Sequence, residues 1–458
     1  MTYRVFRWLF WAATALPSPA SAAPETPLHK ALGASDAWTI NGSFRARIEG
    51  IDGQFRPNAA DDDVAVTLQT RVFAEYDSGP VRFGAELFDA RAYFQRARSS
   101  VGTGEVNALE LAQAYVGFDL GDAFGKTTTS TLTAGRMTIN VGSRRLVSRQ
   151  LFRNSTNAFT GLRFEWTDKA RDRLTLFWVL PHNRLPNDPA GIASNSVAFD
   201  HESLEQQLFG VSFTKTAVLG GSLEIYGYGL LERDAPGFQT INRRLFTPGI
   251  RLFRAPRADR FDWDIEGIYQ TGTARGSAAA TDVRDLPVSA YLVHLELGRS
   301  LALPFAPRLA LQYDRASGNG SDPNRIGRFD TLFGARRFDF GPTSLYGPIG
   351  RANISSIGAR VEAKPGKRWD GLLAWRVLWL ENSTDSFSST GVRDRSGGLG
   401  NFAGHQLEAR ARYWIVPDIL RAEIGAPVLL KGDFLRLAPN GRDNGDTKYG
   451  YFDVNWSF

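Results

Sequence analysis

Apolar and polar side chains alternate strictly along many segments of this chain. In the first segment, residues 38–49, a polar residue directly follows each of four apolar residues, namely Trp38, Ile40, Phe44 and Ile48. Alternation with a period of two predicts a β-strand with one apolar and one polar face. The segment is longer than the five or six residues typical of soluble strands. Because about nine to eleven residues suffice for a tilted strand to cross a bilayer, the pattern favours a membrane-spanning strand.

The alternating pattern recurs eighteen times along the chain. The predicted strands start near residues 38, 64, 81, 108, 130, 159, 173, 207, 223, 243, 261, 289, 307, 353, 369, 405, 420 and 447. Connections from odd to even strands are long and include residues 181–206 and 317–352, whereas those from even to odd strands are mostly short. Long loops at one end and tight turns at the other are typical of a transmembrane β-barrel.

The predicted fold class is therefore all-β, an antiparallel transmembrane β-barrel of about 18 strands. Lipid cannot bond to free backbone N–H and C=O groups, so a spanning sheet must close on itself. A barrel of this size encloses a lumen wide enough for water. No run approaches the ~18 apolar residues of a spanning helix. The chain also has no cysteine, which excludes disulfides and thiolate metal sites.

The N-terminus has the features of a secretory signal peptide over residues 1–22. Arg4 and Arg7 precede a short apolar stretch, and Ala20-Ser21-Ala22 matches the small–x–small pattern of a cleavage site. We expect residues 23–37 to form a short periplasmic lead and residues 38–458 to form the barrel. An exported barrel of this kind is expected in the bacterial outer membrane.

Arginine dominates the basic residues, since only eight of the 54 are lysines. Alternation directs Arg45, Arg163, Arg376, Arg410 and Arg412 into the lumen, and several carboxylates also point inward. One interpretation is that cross-strand arginine–carboxylate pairs stabilise a barrel wall whose inner face contacts water. The other is an electropositive path for an anionic solute, because arginine binds carboxylates bidentately. The pattern alone leaves both interpretations open.

Motifs that would indicate an enzyme are missing from the sequence. There is neither a GxSxG elbow nor an HExxH motif, and we expect no catalytic residues, no metal site and no cofactor. His294 and His405 are expected to line the lumen. The aromatic residues are better explained as girdles at the membrane interfaces than as a surface for nucleic acid.

Several stretches together resemble the alginate-export family of bacterial outer-membrane proteins. They are ELFDARAY at residues 86–93, LAQAY at 111–115, GRMTINVGSRRL at 135–146, RN at 153–154, FTGLR at 159–163, RFDTLF at 328–333 and GRANI at 350–354. The resemblance implies an eighteen-stranded barrel whose arginine-lined constriction passes a polyuronate. It also implies a set of residues along the pathway, namely Arg45, Arg91, Arg136, Arg145, Arg163 and Arg376.

The predicted function is a passive outer-membrane channel for an anionic polysaccharide or oligosaccharide such as an alginate-like polyuronate. The alternative is a general porin for small anionic nutrients with the same architecture. A barrel enzyme and an adhesin that works through its long loops are weaker hypotheses. The expected partners are the anionic solute, outer-membrane lipid and, for an exporter, a periplasmic export assembly. Loop 317–352 is expected to fold over or into the mouth as a gate.

Overall fold

The computed structural model describes residues 26–458, which form one closed antiparallel barrel of 18 strands. The strands are β1 Trp38–Asp52, β2 Asp63–Asp77, β3 Val81–Tyr93, β4 Asn107–Gly121, β5 Thr129–Met137, β6 Phe159–Thr167, β7 Arg173–Pro181, β8 Gln206–Val218, β9 Gly221–Glu232, β10 Arg244–Arg254, β11 Phe261–Ala274, β12 Leu286–Ser300, β13 Arg308–Ala316, β14 Ile354–Ala363, β15 Trp369–Trp379, β16 Phe402–Val416, β17 Leu420–Lys431 and β18 Thr447–Ser457. Each pairs with its chain neighbours, and β1 closes the barrel by pairing with β18.

The predicted fold class and strand count are confirmed, and each strand begins within three residues of its predicted start. The predicted signal peptide, residues 1–22, lies outside the described residues. Part of the predicted lead is described: helix α1, Pro27–Leu32, packs against β1 through a hydrogen bond from Thr26 Oγ1 to the carbonyl of Ile40. The remaining helices are equally short, and among residues 26–458 none is long and apolar enough to cross a membrane.

The outer surface of the barrel is apolar and carries aromatic side chains near the short-turn end. Trp38, Tyr76, Trp369, Tyr413 and Trp456 all lie at that end of their strands and are exposed. Aromatic side chains favour the interface between hydrocarbon and headgroups because their rings are amphipathic. Outer-membrane barrels have short turns on the periplasmic side and long loops outside the cell, so the short-turn end of this barrel is its periplasmic end.

Two long loops fold inward and fill the upper lumen. They are L3, residues 138–158, and L7, residues 317–353. L3 contributes Ile139 and Val147 to the buried apolar core, and L7 contributes Phe329, Leu345 and others. A barrel of this width would otherwise hold water, so the core that packs side chains lies inside the barrel, between loops and wall.

The wall has a notch above β5, β6 and β7, because each of these strands has only nine residues. The upper part of β4, which has 15 residues, consequently extends past the top of β5. Loop L4, residues 182–205, covers this edge through a parallel bridge between Ala108 and Val197. L4 is thus a part of the wall, whereas L3 and L7 are parts of the lumen.

Candidate functional site

Inside the lumen, L3 and L7 pair with each other, and we call the paired segments the shelf. The amide of Ser148 donates to the carbonyl of Phe333 at 3.2 Å, and the amide of Phe333 donates to the carbonyl of Leu146 at 2.9 Å. The amide of Ala335 donates to the carbonyl of Arg144 at 3.0 Å. The two loops therefore run side by side like adjacent strands, across the lumen and not above it.

The carboxylate of Asp339 in L7 holds the centre of the shelf together. It accepts from Arg145 Nε at 2.9 Å and from Arg351 Nη2 at 2.5 Å. All three side chains are buried, with exposed fractions of 3% or less. Burial opposes the charge of Asp339, but Arg145 and Arg351 hold the pKa of its carboxyl well below the usual range. Asp339 is therefore ionised and links L3 to L7.

Arginines also tie the shelf to the barrel wall. Arg145 reaches β11, with Nη1 2.5 Å from Glu266 Oε2 and Nη2 3.2 Å from Asp264 Oδ2. On the opposite side, Arg45 of β1 donates to the carbonyls of Leu151 at 3.0 Å and Arg153 at 3.2 Å in L3. The partners of Arg45 are neutral oxygens, and this arginine forms no salt bridge at 4.0 Å or less within residues 26–458.

Arg376 of β15 also ties the shelf to the barrel wall. Its Nη1 donates to Asp314 Oδ2 at 2.7 Å, and its Nη2 donates to the backbone carbonyl of Asp339 at 3.0 Å. Asp314 also bonds to His294 Nδ1 at 2.6 Å, so His294 faces the lumen as expected. Arg45, Arg145 and Arg376 thus all take part in the contacts of the shelf, although they lie on different strands and loops.

Three further candidates face the lumen away from the shelf. Arg410 and Arg412 of β16 share Asp370, at 3.4 Å and 2.8 Å. Arg163 of β6 lies 3.2 Å from Glu165. These side chains remain partly exposed, between 16% and 23%. Their pairing fits the bracing interpretation, while their exposure leaves them accessible to a solute.

The structure does not bring Arg91 and Arg136 to the lumen. Arg91 is in phase with the exposed Leu87 and Tyr93 of β3 and pairs with Asp89 at 3.0 Å. Arg136, at the top of β5, is in phase with the outer-face residue Leu132 and bonds to Glu110 at 2.5 Å.

His405 also points away from the lumen. It stacks on Trp375, an exposed residue of the outer face, with ring centroids 5.9 Å apart. The expectation that His405 lines the lumen is therefore wrong, and the reason is visible in β16, where His405 is in phase with the exposed Leu407.

A group of loop arginines at the mouth has little negative charge to balance it. We call it the mouth cluster, and it consists of Arg56, Arg153, Arg184 and Arg336 around Glu105. Within residues 26–458, none of these four arginines forms a salt bridge at 4.0 Å or less. They donate instead to carbonyl, amide or hydroxyl oxygens, as Arg56 does to Leu345 and Arg336 to Ser389.

The protonation equilibria of the mouth cluster reflect this excess of positive charge. Burial and the neighbouring Arg336 lower the pKa of Arg56 to about 10. Burial and Arg351 lower the pKa of Arg336 to about 10, and burial with Arg184 lowers that of Arg153 well below its usual range. Burial and the nearby Glu49 raise the pKa of Glu105, which weakens its power to compensate the arginines. An anion bound here would relieve this repulsion.

Below the shelf lies a cavity of about 560 Å³. Arg145, Phe338 and Asp339 of the shelf border it on one side, and the turn residues Pro256 and Lys364 border it on the periplasmic side. Nine arginines and one lysine line it, against six carboxylates. Its volume is within the roughly 300–1,000 Å³ typical of small-ligand sites.

Sequence reasoning missed the mouth cluster and Asp339, because all of them lie in loops without alternation. The family resemblance gave a weak indication of both sites, because Arg153 of the mouth cluster and Arg351, the partner of Asp339, belong to stretches that carry this resemblance.

The sequence profile of the alginate export family matches residues 37–446. The chain belongs to this family. It is accordingly an outer-membrane channel protein, in agreement with its closed barrel, its outer aromatic girdle and its long outer loops. A comparison with curated proteins finds no match.

Solved structures with the same fold are porins of Pseudomonas aeruginosa. OccD3 (OpdP) has a TM-score of 0.55 and 13% identity, with 92% of this chain and 91% of that chain covered. OccK8 (OprE) has a TM-score of 0.56 and 10% identity, with 92% and 98% covered. OpdK, solved with vanillate, has a TM-score of 0.54 and 11% identity, with 92% and 98% covered. At such low identity these similarities establish the fold.

Proposed function

We propose that this alginate-export-family barrel is a passive conduit for an anionic oligosaccharide or polysaccharide of the alginate-like polyuronate type. The observation that carries the proposal is the mouth cluster, four guanidinium groups without a salt-bridge partner in residues 26–458. Each sugar of a polyuronate has one carboxylate, and a guanidinium fork binds a carboxylate with two parallel hydrogen bonds. The cluster therefore favours a solute with repeated carboxylates.

Passage requires binding that is strong enough to admit the solute and weak enough to release it. The pathway arginines differ in the extent to which carboxylates already compensate them, which suits this requirement. The mouth cluster forms the stronger site, and Arg410, Arg412 and Arg163, each already paired, form weaker sites. Arg45, Arg145 and Arg376 hold the shelf across the lumen. Arg91 and Arg136 are left out of the proposed pathway because they lie on the outer phase of their strands.

Transport in this proposal is diffusion along the electropositive lumen, coupled to displacement of the shelf. If the polymer is exported, a periplasmic assembly would deliver it to the cavity below the shelf. The cavity is bordered by periplasmic turn residues and has more basic than acidic groups, as a delivery site for a polyanion requires.

The second candidate is a porin for small anionic solutes. It is supported by the dense packing of L3 and L7 in the lumen and by a cavity whose volume suits one small molecule. One of the similar structures, OpdK, was solved with vanillate, a small carboxylate.

Single-channel recording in planar bilayers separates the two candidates. Uronate oligomers should block the current more strongly as chain length increases, whereas monomeric uronate should block weakly. The double variant Arg153→Gln, Arg336→Gln should weaken the block by oligomers at least tenfold in concentration. Arg233→Gln, on an outer loop and 69% exposed, is the matched control and should leave the block unchanged. Block by monomer that equals block by oligomer would favour the small-solute porin.

A further inference from the structure

The outer surface at the top of β3 carries charged residues where the barrel wall meets the membrane. Arg91 and Asp89 form an ion pair on the outward phase of β3, and Arg91 is two residues from Tyr93, about 7 Å along the strand. A charged side chain on the lipid-facing wall costs about 2–4 kcal/mol at the bilayer midplane and almost nothing near the interface. The pair therefore marks the level of the headgroups on this side of the barrel.

The chain directly after β3 continues this surface with basic and aromatic residues. Tyr93 and Phe94 are exposed, 37% and 79%, with their ring centroids 6.5 Å apart. Arg96 and Arg98 follow at the start of the next loop and are also exposed. We call Arg91, Tyr93, Phe94, Arg96 and Arg98 the rim patch. Three arginines within eight residues, interleaved with two aromatic residues, have the composition of a site for a negatively charged lipid headgroup.

The arginines of the rim patch retain capacity for an anion. Arg91 donates to Asp89 through Nε, at 3.1 and 3.0 Å, which occupies one donor of the guanidinium. Arg96 bonds to Asp62 at 2.6 Å, but both side chains are about half exposed, so the pair is weak in water. Arg98 forms no salt bridge within residues 26–458. A phosphate group could therefore bridge Arg96 and Arg98 with Arg91 extending upward to it.

An apolar surface lies beside the rim patch. The amide of Leu109 donates to Asp89 Oδ1 at 2.8 Å, which places the exposed Leu109 next to the ion pair. Val197 and Phe199 of L4, 51% and 60% exposed, continue the surface across the notch in the wall. Charge and apolar area together fit a molecule that has both phosphate and acyl chains.

We propose that the rim patch binds a phosphorylated glycolipid of the outer leaflet of the outer membrane. Its arginines contact the phosphates, and Phe94, Leu109 and L4 contact the upper acyl chains. This site lies on the outside of the barrel and is independent of the proposed transport pathway. It gives Arg91, which does not face the lumen, a role in holding the membrane against the notch that L4 covers.

The test is the amount of lipopolysaccharide that remains bound to the full-length protein in detergent, measured by native mass spectrometry. Arg96→Gln, Arg98→Gln should reduce bound glycolipid at least fivefold, and Arg91→Gln should add to the loss. The matched control is Arg284→Gln, Arg325→Gln, which removes two exposed loop arginines from another sector. Folding of every variant is checked by the heat-dependent shift of the barrel on a gel.

Three outcomes would overturn the proposal: bound glycolipid that is unchanged in the folded rim-patch variant, an equal loss in the control, and complete displacement by 10 mM inorganic phosphate. The last would show a site for a free anion. Block of the channel by uronate oligomers should stay unchanged in the rim-patch variants, so this proposal and the proposed function can fail separately.

Discussion

Asp339→Asn should release the shelf from its closed arrangement. The carboxylate joins Arg145 of L3 to Arg351 of L7, and all three groups are buried. Removing one partner from a buried ion pair costs about 3–5 kcal/mol, because the other charge stays buried without compensation. Arg145 keeps Asp264 and Glu266 in the variant, whereas Asp339 is the one carboxylate that pairs with Arg351 within residues 26–458. The lower end, about 3 kcal/mol, is therefore appropriate.

A loss of about 3 kcal/mol in the closed arrangement corresponds to a shift of the closed-to-open ratio on the order of 100-fold. In single-channel recordings, Asp339→Asn should show more frequent and larger open levels than the unmodified protein. Asp385→Asn is the control, since Asp385 is also buried and pairs with Arg328 at 2.8 Å, but joins L7 to the neighbouring outer loop instead of to L3. Recordings of Asp339→Asn that match the unmodified protein, or an equal gain in the control, would refute the reasoning.

Three further predictions concern the shelf, L4 and the lower lumen. Gly334→Ala should open the channel as Asp339→Asn does, because a Cβ at this position would lie 1.7 Å from the carbonyl oxygen of Arg145; Gly320→Ala in the same loop, where the nearest atom would be 3.7 Å away, should leave the conductance unchanged. Burial and the nearby Glu110 raise the pKa of Asp200 in L4 to about 7, above its unfolded value of about 3.9, so the docking of L4 is strongest at acid pH and is lost as the pH rises through 7. Hydrogen exchange of residues 195–202, corrected for intrinsic rates, should therefore accelerate between about pH 4 and 7 and level off above that range, and Asp200→Asn should abolish that dependence; a dependence that persists in the variant would contradict the assignment. Asp370→Asn frees the two arginines of β16 that share it, and should increase the anion-to-cation permeability ratio severalfold in reversal-potential measurements, whereas an unchanged ratio would exclude these arginines from the pathway.

Alternation predicts, for each strand residue, whether its side chain faces the lumen or the lipid, even where the family resemblance suggested the wrong face. Alternation through β3 places Arg91 opposite in phase to Glu86, which faces the lumen and bonds to Arg149. The family resemblance nonetheless suggested Arg91 as a pathway residue. The same alternation places Arg376 inward, as the structure has it. In a barrel wall, the local pattern is thus a better guide to orientation than similarity of a motif.

The amino-acid sequence by itself determined the barrel, its strand number and the face of each strand, because lipid and water select every second side chain independently of distant contacts. The tertiary structure alone decided how the lumen is closed and where its charge remains uncompensated. Asp339 meets Arg145 across 194 residues of chain, and the mouth cluster gathers arginines from four separate loops. Loops lack the alternating pattern that lipid and water select in the strands, so their contacts cannot be predicted in the same way. These contacts depend on packing inside the closed barrel, which forms only when all the strands have paired.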